Sequence, residues 1–225
     1  MKNIHLAAIL AVSSLAAAQQ TKTFKTSGYD SVGVSGSYTV VFVHGSEGNI
    51  TATGDQKDLD NLIVETEDGK LKIHPENRIK GGKRSVTVTV PVEAIEGVAL
   101  SGSGSITSKD ALKADEFNIA LSGSGKIALN VNAKQLEAAM SGSGTIELSG
   151  NANKIESNLS GSGRIEAFDL KSATAEVNIS GSGECELHCS EELTARISGS
   201  GRISYKGNPQ KEDTKVVGSG RITKS

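Results

Sequence analysis

The sequence predicts an all-β chain built as a parallel β-helix, a solenoid with a coil period of about 19 residues, preceded by an irregular N-terminal β region. Two observations predict this. The tetrapeptide Ser-Gly-Ser-Gly recurs at residues 101, 122, 141, 160, 180 and 198, and a worn copy, Val217-Gly218-Ser219-Gly220, closes the series. The successive spacings are 21, 19, 19, 20, 18 and 19 residues, a period at which each repeat forms one coil of a stack. The second observation is the alternation of apolar and polar residues on both sides of every copy, which is the period of a strand.

Residues 1–18 read as a secretory signal. Lys2 supplies a small positive region, an apolar stretch follows, and Ala16-Ala17-Ala18 forms a small-residue cleavage site before Gln19. The apolar run is short and is broken by Ser13-Ser14, so a membrane span is not expected there or in any later segment.

Residues 19–97 form the irregular region, either first coils or a cap. Strands are expected over 38–43, 49–53, 62–65, 70–74 and 85–91, with turns at 45–48, 68–69 and 81–82 and a short helix over 56–61. Val34-Ser35-Gly36-Ser37-Tyr38 reads as an eroded copy of the tetrapeptide. A cap has a physical reason, because a solenoid end exposes unpaired backbone and apolar surface.

Residues 98–225 form the regular coils. The residue before each tetrapeptide is Leu100, Leu121, Met140, Leu159, Ile179, Ile197 and Val216, and alternation points this column inward. It also turns both glycines of each copy inward and both serines outward. Gly102, Gly104, Gly123, Gly125, Gly142, Gly144, Gly161, Gly163, Gly181, Gly183, Gly199, Gly201, Gly218 and Gly220 are therefore assigned to a structural corner, where a side chain would collide with the core or forbid the backbone angles. Serines repeated at strand spacing form an outer hydroxyl ladder. About seven coils at this spacing give a stack roughly 34 Å long. A right-handed helix or a close relative is the expected form, although the period does not fix the hand. A leucine-rich repeat is the competing architecture, but its Asn ladder and fixed leucine pattern are missing.

Outward columns collect charge. Glu147, Glu166 and Glu186 stand in one column, beside Arg164 and Arg202 in another. Read functionally, these carboxylates form an acidic groove or a calcium site; read structurally, they belong to a mixed-charge solvated face that limits sheet aggregation. The second reading is preferred, and no cofactor is expected. The two cysteines, Cys185 and Cys189, share one coil. On one continuous strand their Cα atoms lie about 13 Å apart, beyond disulfide reach without a turn at His188. Cys185 falls in a column otherwise filled by isoleucines, which marks it as a small buried apolar residue. With His188, the pair makes a weak metal motif.

Other chemistries are excluded by pattern. A formal charge of −2 leaves no basic field for nucleic acid. The glycine motif runs into strands and opens no helix, so it does not fit a phosphate-cradling loop. No serine copy fits a strand-turn-helix nucleophile elbow.

Gly54-Asp55, Val64-Glu65 and Asp68-Gly69-Lys70-Leu71-Lys72-Ile73, followed by the Ser-Gly-Ser-Gly coils, resemble the bacterial family named putative auto-transporter adhesin, head GIN domain. The resemblance covers essentially all of the chain after the signal. It implies a β-helical fold and an export route common among Bacteroidetes, and it supplies no catalytic residues; no translocator barrel is expected after Ser225. The function expected is a non-catalytic binding, adhesion or scaffold module of the periplasm, outer cell surface or extracellular space. Its partners would be a surface glycan, a matrix protein or an envelope component. The alternatives are a polysaccharide lyase or hydrolase using the Glu column, and a periplasmic assembly protein that associates end to end.

Overall fold

A computed structural model describes residues 19–77 and 86–225. The expected signal segment, 1–18, and the expected turn at 81–82 lie outside the described residues. The chain opens with β1 (Gln20–Lys25), β2 (Ser31–Gly36), β3 (Thr39–His44) and β4 (Asn49–Gly54). A short helix, α1 (Gln56–Asp60), then leads to β5 (Leu62–Glu67), β6 (Lys70–Pro75) and β7 (Thr87–Val92). The stack continues through β8 (Gly97–Gly102), β9 (Ser105–Ser108) and β10 (Leu112–Gly123). The longest strands are β11 (Lys126–Gly142), β12 (Thr145–Gly161), β13 (Arg164–Gly181) and β14 (Glu184–Gly199), of 17, 17, 18 and 16 residues. The last are β15 (Arg202–Lys206), β16 (Lys211–Gly218) and β17 (Arg221–Lys224).

From β8 onward every pairing is parallel and advances by one repeat, as in a β-solenoid. The register places each tetrapeptide on the next: Ser101 opposite Ser122, then Ser141, Ser160, Ser180 and Ser198. Each of β11 to β14 bends within itself, and its alternation of buried and exposed residues changes phase at that bend. In β12 the change falls between Leu148 and Ile155, where Gly150 adopts a φ of +109°.

The core is a set of like-residue ladders along the axis. Ile106, Ile127, Ile146, Ile165, Cys185 and Ile203 are all at most 1 % exposed. Each such aliphatic side chain contributes about 1.5–3 kcal/mol when withdrawn from water.

The corner keeps its backbone ladder. Gly123 O accepts from Ser143 N at 2.9 Å and Gly125 O accepts from Thr145 N at 3.0 Å, so hydrogen bonding passes round the bend from coil to coil. Gly142 has a φ of +126°, which L side chains rarely adopt, and a Cβ there would sit on the Gly123 carbonyl. A Cβ on Gly144 would meet Gly125 O at 2.5 Å and Leu121 Cδ2 at 2.8 Å. The obstruction at the first glycine is therefore the neighbouring coil's backbone; only at the second does the core add to it.

The N-terminal region is both coil and cap. β2 and β3 stack in parallel on β8 and β9, and Ser35-Gly36 lies opposite Ser101-Gly102. Gly36 keeps the positive φ of the repeat, +116°, while Tyr38 is fully buried and stands where a second glycine would be. β6 and β7 add one more parallel layer on β2 and β3. Antiparallel strands then cover it: β5 on β6, β4 on β7, and β1 on β4. At the other end β16 pairs with β14 and β17 with β15, and all eight residues of β16 are exposed.

Candidate functional site

A trough of about 1020 Å³ runs along the solenoid axis. Its floor is the outward side of the strands that lead into each corner. The inward column of Leu100, Leu121, Met140, Leu159, Ile179 and Ile197 contributes backbone to the floor while its side chains stay at most 3 % exposed. Two outward columns flank that backbone. One is the first serine of each tetrapeptide. The other is the residue two before it, and there the parallel register runs Lys72, Gly33, Ala99, Ala120, Ala139, Asn158, Asn178, Arg196 and Lys215. Few atoms rise above the sheet in its first half, which hollows the surface into a trough.

Polar groups are graded along it. Asn178 Nδ2 donates to Asn158 Oδ1 at 3.2 Å, an amide ladder between neighbouring coils. Arg196 donates to the Asp213 backbone carbonyl at 2.8 Å and pairs with the Asp213 carboxylate. Arg196 holds the Asp213 carboxyl below its usual range through that hydrogen bond. At the opposite end Lys72 pairs with Glu67, and His74 lies 3.2 Å from Glu65.

The Glu column lines a second hollow of about 670 Å³ together with Asp169 and Phe168. Glu147 lies opposite Glu166, and Glu166 opposite Glu186. Lys126 reaches Glu147 at 2.5 Å, Arg164 reaches Glu166 at 3.5 Å and Glu184 at 2.7 Å, and Arg202 reaches Glu184 at 3.4 Å. Glu184 raises the Arg164 guanidinium above its ordinary value, chiefly by their hydrogen bond. Lys126 from the adjacent coil and Arg164 from the same strand thus offset part of the like-charge repulsion, and each exposed pair is worth at most about 1 kcal/mol. Among the described residues no three His, Cys, Asp or Glu side chains are placed to hold a metal ion.

Cys185 and Cys189 are both buried, unbonded and on β14. Cys189 Sγ donates to Glu192 O at 3.0 Å and Ala173 O at 3.2 Å, and burial raises its thiol pKa.

The short connections between coils raise no walls, and the trough needs none. The position two before each tetrapeptide carries its signal: three consecutive alanines, two asparagines, then two cations.

Residues 28–209 match the family described as putative auto-transporter adhesin, head GIN domain. The chain belongs to this family. No curated protein matches the sequence. Solved structures from Bacteroides and Parabacteroides share the fold. A putative lipid binding protein from Parabacteroides distasonis is 28 % identical, with a TM-score of 0.73 over 92 % of this chain and 96 % of that one. A putative adhesin from Bacteroides fragilis is 21 % identical, with a TM-score of 0.85 over 92 % and 97 % of the two chains. A putative adhesin from Parabacteroides merdae is 23 % identical, with a TM-score of 0.69 over 92 % and 96 %. Among the described residues no helix is long and apolar enough to cross a membrane.

Proposed function

We propose that the chain is an exported, non-catalytic binding module of the cell envelope and that the axial trough is its binding face. One observation carries this reading. Successive coils present the same serine, and three of them the same alanine, in register along a single concavity of about 1020 Å³, so weak contacts repeat along an extended ligand and add through effective concentration. The names of the relatives, adhesins and a lipid binding protein, support a binding role at the envelope. The polysaccharide-cleaving alternative is disfavoured because Glu147 and Glu166 are engaged by Lys126 and Arg164.

The test is capture of isolated envelope membranes of the source cells by the purified protein. Ala120→Glu, an outward exposed position in mid-trough, is expected to reduce capture at least tenfold while the melting temperature stays within a few degrees. Capture equal to that of the unmodified protein would overturn the reading. Protease accessibility on intact cells then separates outer-surface from periplasmic placement.

A second reading rests on the C-terminal end of the stack. Val216 and Val217 are 39 % and 58 % exposed on β16, whose outer edge offers unpaired backbone groups to another strand. End-to-end association through β16 and β17 is expected to raise the light-scattering mass with concentration, and Val217→Lys is expected to suppress the rise. A constant monomer mass up to millimolar concentration would refute it.

A further inference from the structure

The trough changes character along its length. From Gly33 to Ala139 the column is three strand spacings, about 14 Å, of glycine and alanine. The Lys70 stem lies against Gly33, since a Cβ there would come within 2.9 Å of Lys70 Cε. Beyond Ala139 the same column turns to amides at Asn158 and Asn178 and then to cations at Arg196 and Lys215. A surface selected only for solubility mixes charges along a face. This one sets an apolar stretch between Lys70 and Lys72 at one end and amides, Arg196 and Lys215 at the other.

We propose that the trough holds a single-chain anionic amphiphile. Its hydrocarbon chain lies along Gly33, Ala99, Ala120 and Ala139, and its acidic head sits over Asn178, Arg196 and Lys215. This rests on the preceding reading of the trough as the binding face. Cations at both ends of the trough suit an acidic head, and the Asn158 and Asn178 amides beside Arg196 favour the C-terminal end for it. At the N-terminal end Glu67 and Glu65 already engage Lys72 and His74, and the third cation there, Lys70, lays its stem against Gly33. At the C-terminal end two cations outnumber Asp213, the carboxylate that touches Arg196. The floor of methyl groups and pleated backbone covers a thin unbranched chain along one side. Each methylene laid on it strengthens binding about two- to fourfold, the upper figure applying to full burial.

The probe is dodecyl phosphate below its micelle concentration, titrated calorimetrically into the full chain, with decyl phosphate, inorganic phosphate and dodecyl maltoside for comparison. Decyl phosphate is expected to bind about 4- to 16-fold more weakly than dodecyl phosphate, being two methylenes shorter. Ala120→Glu is expected to weaken dodecyl phosphate at least tenfold. Lys215→Glu is expected to weaken it about fivefold or more while the dependence on chain length remains. Inorganic phosphate binding as tightly as dodecyl phosphate would identify a plain phosphate site and overturn the proposal. So would dodecyl maltoside binding equally well, or binding that neither substitution alters. Loss of membrane capture in Ala120→Glu without any binding of dodecyl phosphate would retain the trough as the binding face and remove the amphiphile from it. Unaltered membrane capture in Ala120→Glu would remove the trough reading itself.

Discussion

Replacing Gly142 and Gly144 together with valine is expected to lower the melting temperature by about 10–20 °C or more, or to prevent folding. Replacing Ser141 and Ser143 with alanine is expected to leave it nearly unchanged. At Gly142 the φ of +126° is a conformation that a β-branched residue adopts only with strain of about 1–3 kcal/mol. The new side chain would also displace the Gly123 carbonyl that accepts from Ser143 N. At Gly144 a Cβ falls 2.5 Å from Gly125 O, and the coil below cannot retreat without opening its own ladder. The two costs together exceed about 5 kcal/mol, a large share of the 5–15 kcal/mol that holds a typical domain. Ser141 and Ser143 are exposed and face away from the core, so their hydroxyls are replaced by alanine within about 0.5 kcal/mol. Equal melting temperatures for the two double variants would refute this account of the corner.

The coils were legible because a solenoid repeats its constraints. Each inward column samples the same environment six or seven times, so one exception such as Cys185 among isoleucines stands out against its neighbours. The N-terminal layers were harder to read because nothing repeats there. Expected strands at 38–43 and 62–65 correspond to Thr39–His44 and Leu62–Glu67, and the helix expected over 56–61 to Gln56–Asp60. β1, Gln20–Lys25, was not expected at all. Its alternating Thr and Lys residues are exposed or half-buried, and its place comes from antiparallel pairing with β4, a nonlocal term that no local pattern carries.

The site was less legible than the fold for a physical reason. Charged columns attract notice, yet Glu147 finds Lys126 on the adjacent coil and Glu166 finds Arg164 on its own, and so they form a stabilised face. The trough is made by what is small. Ala99, Ala120 and Ala139 look inert one at a time, and their meaning lies in the register that aligns them, which pairs Ala99 with Ala120 and Ala120 with Ala139.

Alkaline pH is expected to destabilise the protein through Cys185, and Cys185→Val is expected to remove that share of the loss. The thiol is wholly enclosed, and burial pushes its pKa from 9.0 up to about 12. Because the folded-state value lies above the unfolded one, the contribution to stability is fully present below about pH 9, and it is lost progressively as pH rises toward 12. Three pH units at 1.36 kcal/mol each set the loss at up to about 4 kcal/mol. Tyr29, whose phenol is also raised by burial and then by Glu47, adds a loss of the same sign in both proteins. The difference between the two proteins therefore isolates the thiol. Valine in a column of isoleucines is a compatible replacement, so the two are expected to agree within about 1.5 kcal/mol at pH 7. Urea midpoints measured from pH 7 to 11 should diverge above pH 9, with the variant the more stable, and the native thiol should resist alkylation at pH 8. Parallel midpoints across that range, or rapid alkylation of folded Cys185, would show that the thiol is not sealed in the core and would place it at a solvent-reached gap between coils.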